Sequence, residues 1–210
     1  MKTRHASAGL AAALAGVAFA IATTRPSGAQ EPPASPTPAA HPQQEFVGSK
    51  HCKKCHLEEF RSWEQTPMAK AYEILAPGQR AEAKQAAGLD PTVDYRQDPN
   101  CVPCHVVGFG QPGGFSLEHA GEEDKHMLQG VGCEMCHGAA RGYLGRGFKD
   151  RGYADEHDAR LPQLIERFGY QPHPNAETCA RCHNEKSPTF KPFDFEQRKA
   201  QGIHAHPQPH

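Results

Sequence analysis

Residues 101–138, CVPCHVVGFGQPGGFSLEHAGEEDKHMLQGVGCEMCHG, hold two copies of Cys-x-x-Cys-His, at 101–105 and 133–137. The same signature stands at 52–56 (CKKCH) and 179–183 (CARCH). Four copies use all eight cysteines of the 210-residue chain. A histidine directly after every second cysteine is the attachment signature of c-type haem. The pattern implies four covalently bound haem c groups, held through Cys52 and Cys55, Cys101 and Cys104, Cys133 and Cys136, and Cys179 and Cys182.

The chemistry explains the spacing. Residues i, i+3 and i+4 share one face of a helical turn. Two thiols on that face can form thioethers with the two vinyl groups of one porphyrin. The adjacent imidazole, from His56, His105, His137 or His183, then supplies the proximal nitrogen to iron. Eight cysteines could also hold two zinc ions or form a disulfide framework. Neither alternative requires the four histidines.

Working outward, residues 1–29 have the pattern of a secretory signal. Lys2, Arg4 and His5 precede a small, apolar run at 6–22, and Ser27-Gly28-Ala29 offers a cleavage site. Covalent haem attachment takes place outside the bacterial cytoplasm, so export through the Sec pathway to the periplasm agrees with the motifs. The run is short and rich in alanine, which argues against a permanent transmembrane helix. Membrane contact is expected only if this signal is retained. Residues 30–45 form a proline- and alanine-rich linker, and the folded tetrahaem domain is expected over 46–210.

Removal of residues 1–29 takes away three cations and no acid, moving the formal charge from −1 to −4. Haem propionates add further negative charge. Nucleic acid is thereby a poor partner, and a basic patch on a redox protein is a better one. The chain is 37% hydrophobic, with 20 glycines and 19 prolines. That is a meagre core for a domain of this size. Buried macrocycles would supply the missing apolar bulk, so the apoprotein is expected to be largely unfolded.

The remaining pattern reads as mostly α, a multihaem cytochrome c with long loops between its four motifs. Leu57, Phe60 and Trp63 form one helical stripe. Thr66-Pro67 predicts a helix restarting there and running to about Leu75. Further helices are expected over 79–87, closed by Gly88, and over 161–168, closed by Gly169. A last helix follows Phe193-Asp194-Phe195, with Asp194 as N-cap, and ends near Gly202.

The segments GSKHCKKCH, SWEQTPMAKAYEIL, EAKQAAGLDPTVDYRQDPNCVPCHVVGFGQPGGF and MLQGVGCEMCHG resemble the tetrahaem cytochrome c-554 family of ammonia-oxidising bacteria. The likeness covers residues 46–138 and weakens beyond. It implies a mostly helical fold in which electrons hop between closely packed haems. It also implies distal ligands drawn from elsewhere in the chain, and in some members one five-coordinate iron.

Two departures stand out. The family places a histidine where this chain has Met68, in TPMAKA. Met68 is either a thioether ligand, which would raise the reduction potential, or a filler of the core. The family also has a ligand histidine soon after the third motif, where residues 139–156 contain none and His157 is the first available. His119 and His126 are alternatives, although solvated loop histidines fit them better. His173 lies where the family has a distal ligand. Of the C-terminal pair His204 and His206, the resemblance favours His206. His41, His51 and His210 read as solvent-facing, and Met135 points away from its own iron.

Two functions follow. The first is an electron carrier between a multihaem oxidoreductase, such as a hydroxylamine-oxidoreductase-like donor, and a membrane or terminal cytochrome. The second is a reductase or binding protein for nitric oxide or another small nitrogen oxide at an open iron. Arg141, Tyr143 and Arg146 would then be the nearby proton donors.

Overall fold

A five-residue haem motif has to curl tightly, and each of the four does so by its own backbone bonds. They are seen in a computed structural model that describes residues 44–120, 127–144, 159–201 and 204. The chain divides into two units, 1–37 and 38–210, and all described residues lie in the second. The expected export signal and nearly all of the linker fall outside the described residues.

The first motif begins at the end of α1 (Ser49–Cys52) and closes through a bond from His56 N to Cys52 O at 2.9 Å. α2 (Leu57–Glu64) follows at once, with Phe60 and Trp63 buried. Their rings meet at 5.4 Å. Leu57 was expected on the same stripe but is 39% exposed; in the first turn, it projects past the edge of the packed face.

The helix expected from Thr66 to Leu75 is absent. Turns fill the segment, and a single 3₁₀ turn covers Glu73–Leu75. Thr66 does behave as a cap, because its Oγ1 accepts from Ala69 N at 3.3 Å. Helical continuation loses to tertiary bonding. The Met68 carbonyl accepts from Val131 N at 2.8 Å, and the Ala71 carbonyl takes the His105 ring.

α3 (Ala81–Ala86) is the expected alanine-rich helix, and Gly88 turns the chain with φ of 74°. Lys84 on this helix points inward and is buried. Its Nζ donates to Ala76 O at 2.7 Å and lies 5.3 Å from the centre of the Tyr95 ring.

The second motif is a 3₁₀ turn, Val102–Cys104, closed by His105 N to Val102 O at 2.8 Å. The chain next to it meets residues 128–130 in an isolated antiparallel bridge, Val106 with Gln129. Val107 N donates to Leu128 O at 2.8 Å and Gly130 N to His105 O at 3.0 Å. Gly130 has φ of 81°, and a Cβ there would run into the Ala69 carbonyl. This crossing carries the main core: Tyr72, Leu75, Val102, Val106, Val107, Phe115 and Leu128.

α4 (Cys133–His137) contains the whole third motif. α5 (Leu161–Phe168) ends on Gly169, as expected, with φ of 67°. Leu164 of α5 packs with Ala140 and Tyr143 in a second, smaller cluster. α6 (Ala176–Ala180) opens the fourth motif, capped by Asn175 Oδ1 accepting from Thr178 N at 3.0 Å. α7 (Phe195–Gln201) is capped by Asp194 Oδ1, which accepts from Gln197 N at 2.9 Å. Among the described residues the regular elements are all helical, and no helix is long and apolar enough to cross a membrane.

Candidate haem-attachment site

A histidine that ligates a metal through Nε2 needs its proton on Nδ1, which an acceptor at Nδ1 fixes. Three motif histidines have such an acceptor. His105 Nδ1 lies 2.6 Å from Ala71 O, and His137 Nδ1 lies 2.7 Å from Gln171 O. His56 Nδ1 lies 3.5 Å from Glu59 Oε1, a looser contact. Each bond assigns the Nδ1–H tautomer and gives Nε2 the lone pair. Burial also holds the His105 pKa below its ordinary value, keeping that ring neutral, as a ligand must be. His183 stacks on Phe193, ring centres 4.4 Å apart.

Gln171 and His137 are joined twice. Besides the ring contact, Gln171 N donates to His137 O at 3.0 Å. The Gln171 side chain in turn accepts from Thr178 Oγ1 at 3.0 Å, at the start of the fourth motif. Arg181, between the two cysteines of that motif, donates to Met135 O in the third at 3.1 Å.

The fold brings the motifs together. The Cys52 and Cys133 thiols are close neighbours across the first and third motifs, and each acts on the other: Cys52 is raised and Cys133 lowered to about 7. Cys104 and Cys182 stand likewise across the second and fourth, where Cys182 is raised and Cys104 lowered to about 7. Cys136 is pushed up to about 11, mainly by burial. None of the eight cysteines is paired in a disulfide. Among the described residues, no three histidines, cysteines or carboxylates converge as a metal-ion site would need. Thiols available in motif pairs, each pair followed by a histidine, fit covalent haem.

The distal ligand positions are scattered. Met68 is half-buried in the turn after α2, and His173 is exposed. The His204 ring centre lies 6.3 Å from that of His137. A metal bonded at roughly 2 Å to the nitrogens of two facing imidazoles spaces their ring centres by about 6 Å. His41, His126, His157, His206, His210, Arg146 and the side chain of His119 fall outside the described residues. His51 is exposed, its Nδ1 2.8 Å from Val47 O. Met135 Sδ accepts from Gly108 N at 3.4 Å, in the stretch after the second motif. Tyr143 is buried, and its hydroxyl donates to Gly138 O at 3.0 Å. Arg141 pairs with Glu45 at 2.9 Å.

Sequence reasoning missed Glu134, the residue after the first cysteine of the third motif. It is 3% exposed. Its carboxylate accepts from Val47 N at 3.0 Å, Gly48 N at 2.8 Å and Ala140 N at 2.8 Å. Burial raises its pKa, while the three N–H donors pull the other way. An acid set within the apolar run GVGCEMCHGAA was the available signal.

Comparison with known proteins agrees with this architecture. The family described as "Cytochrome c554 and c-prime" matches residues 51–138. Cytochrome c-554 of Nitrosomonas europaea is 43% identical over 139 residues. The alignment covers 66% of this chain and 57% of that protein, so the chain spans little more than half of its curated relative's length. The solved structure of the reduced state of cytochrome c554 from Nitrosomonas europaea aligns with a TM-score of 0.54 at 38% identity. That alignment covers 72% of this chain and 75% of the other. The chain therefore belongs to the cytochrome c-554 family, c-type cytochromes that hold haem covalently.

Proposed function

We propose that the protein is a periplasmic electron carrier with four haems, one at each Cys-x-x-Cys-His segment. On this reading residues 1–29 direct export and are removed, and residues 46–210 form the tetrahaem domain. The observation that carries it is the contact between motifs: Glu134 of the third holds Val47 and Gly48 beside the first, and Arg181 of the fourth donates to Met135 O of the third. Attachment points in mutual contact suit hopping of electrons between neighbouring groups.

Each haem, when bound, supplies a one-electron couple. The residues of the chain hold and tune it. Ala71 O and Gln171 O keep His105 and His137 in the ligating tautomer. Val102, Val106 and Val107 are fully buried and keep water from the second motif. His204, facing His137, is read as the distal ligand of the third haem. Met68 is read as a thioether ligand, His206 and His173 as the other candidates; the exposure of His173 makes it the least favoured.

The electron donor is inferred to be a multihaem oxidoreductase, of the hydroxylamine-oxidoreductase-like kind, and the acceptor a membrane or terminal cytochrome. A reductase for nitrogen oxides would need a proton donor free to reach an open iron. Neither described candidate supports this reading, since Tyr143 is engaged with Gly138 and Arg141 with Glu45.

The test is a haem assay followed by an optical spectrum of the dithionite-reduced protein with and without carbon monoxide. Four haems and an unmoved Soret band are expected. Fewer haems would overturn the tetrahaem reading. A partial Soret shift would reveal an open iron and move the case toward nitric oxide or hydroxylamine turnover.

A further inference from the structure

Glu134 sits between two attachment sites. It follows Cys133 directly in the third motif, and its hydrogen bonds reach Val47 and Gly48, immediately ahead of α1 and Cys52. A third bond, from Ala140 N, closes the turn after α4. The carboxylate lies near enough to both Cys52 and Cys133 to push both thiols upward electrostatically. Its three hydrogen-bond partners are all backbone N–H donors, which suits an ionised carboxylate with no proton of its own to place. The titratable side chains that interact with it are His51, Cys52, Cys133 and Tyr143, and of these His51 is exposed.

A charge in a buried site acts at a higher effective strength than the same charge in water. One-electron reduction of a haem at either site adds one negative charge close to this carboxylate. The repulsion opposes reduction at both sites. None of the hydrogen bonds of Glu134 reaches the second or the fourth motif.

We propose that Glu134 is a fixed buried charge shared by the first and third haem sites, which lowers the reduction potential of both while it clamps their attachment segments together. It is a positioning and tuning residue for electron transfer and takes no part as a ligand. The proposal rests on haem attachment at all four motifs. Failure of that reading would appear as missing haem in the unaltered protein, an observation distinct from unshifted potentials.

The experiment is a dithionite titration of the four-haem holoprotein, followed by optical spectroelectrochemistry, with individual haems assigned by nuclear magnetic resonance. In Glu134→Gln the reduction equilibria of the first and third haems should move toward the reduced form by about tenfold, about 59 mV for a one-electron couple. The second and fourth should move by less than about twofold, and Glu134→Asp, which keeps the charge, should stay within about twofold of the unaltered protein. A uniform shift of all four haems, no shift, or an equal shift in Glu134→Asp overturns the proposal. A purely structural residue would lower stability without this sign and selectivity.

If Glu134→Gln does not take up four haems, infrared difference spectra of the oxidised and reduced unaltered protein and Glu134→Asp decide the matter. A carboxylate band that responds to reduction and changes with Glu134→Asp supports the proposal. No Glu134-dependent band overturns it.

Discussion

The indole nitrogen of Trp63 donates to the carbonyl oxygen of Val131 at 2.9 Å. The helix leaving the first motif thus holds the residue two positions before Cys133. Val131 is held from its other side too, because its N–H donates to Met68 O at 2.8 Å. Replacing Trp63 by Phe keeps a ring against Phe60 and removes the donor. The expected loss is about 1–3 kcal/mol, the penalty for a buried acceptor left unpaired. Denaturant unfolding of the holoprotein measures it.

Lys84 is buried and holds the chain between α2 and α3. It donates to Ala76 O at 2.7 Å and, more weakly, to Leu75 O at 3.4 Å. Lys84→Met retains the apolar stem but removes that donor, leaving Ala76 O with Gln79 N alone. Destabilisation of about 1–3 kcal/mol is expected, with the optical spectrum of the haems unchanged. A variant as stable as the parent would show that the carbonyls find water instead.

Gly130 cannot be replaced by alanine without cost. Its φ of 81° is left-handed, and a Cβ would meet the Ala69 carbonyl backbone. The conformational strain alone is roughly 1–3 kcal/mol, and the contact adds to it. Gly130→Ala should reduce the yield of haem-loaded protein, read by haem content per chain after purification.

Met68→His tests the ligand reading directly. Imidazole in place of a thioether lowers the reduction potential of a haem. One haem couple should therefore move to lower potential, with the others unmoved. Unchanged potentials in both Met68→His and Met68→Ala would make Met68 a filler of the turn it occupies.

The Asp94–Arg96 pair gives a pH prediction. The Arg96 side chain holds the Asp94 pKa down to about 2, against an ordinary value of 3.8. A depressed folded-state pKa contributes stability above the unfolded value that is lost as pH falls through the folded one. The stability difference between the parent and Asp94→Asn should therefore be present at neutral pH and vanish toward pH 2. It should be small throughout, because the pair is exposed and solvent-screened.

The motifs and their helices were legible because both are local. Cys-x-x-Cys-His carries its own meaning, and Gly88, Gly169 and Asp194 punctuate the chain where the structure ends or begins helices. The segment 66–75 was misread for the opposite reason. Its Thr-Pro start is a sound helix signal and Thr66 does cap, but Met68 O and Ala71 O are taken by Val131 and His105, far along the chain. The acceptors that orient His105 and His137 are backbone carbonyls of Ala71 and Gln171, which no side-chain pattern could announce. Lys84 was hidden likewise, since a lysine in an alanine-rich helix ordinarily faces solvent. The contact of Met135 Sδ with Gly108 N depends on the fold in the same way.

The contacts between motifs distant in sequence have an architectural consequence. Proteins built as beads on a string can be shortened, lengthened or split between beads, since each bead keeps its own neighbours. Here a cut between the second and third motifs parts Cys52 from Cys133 and Cys104 from Cys182 at once. The chain does not divide cleanly at its midpoint: the first two motifs would lose the neighbours that the last two, themselves joined through Arg181 and Met135 O, supply.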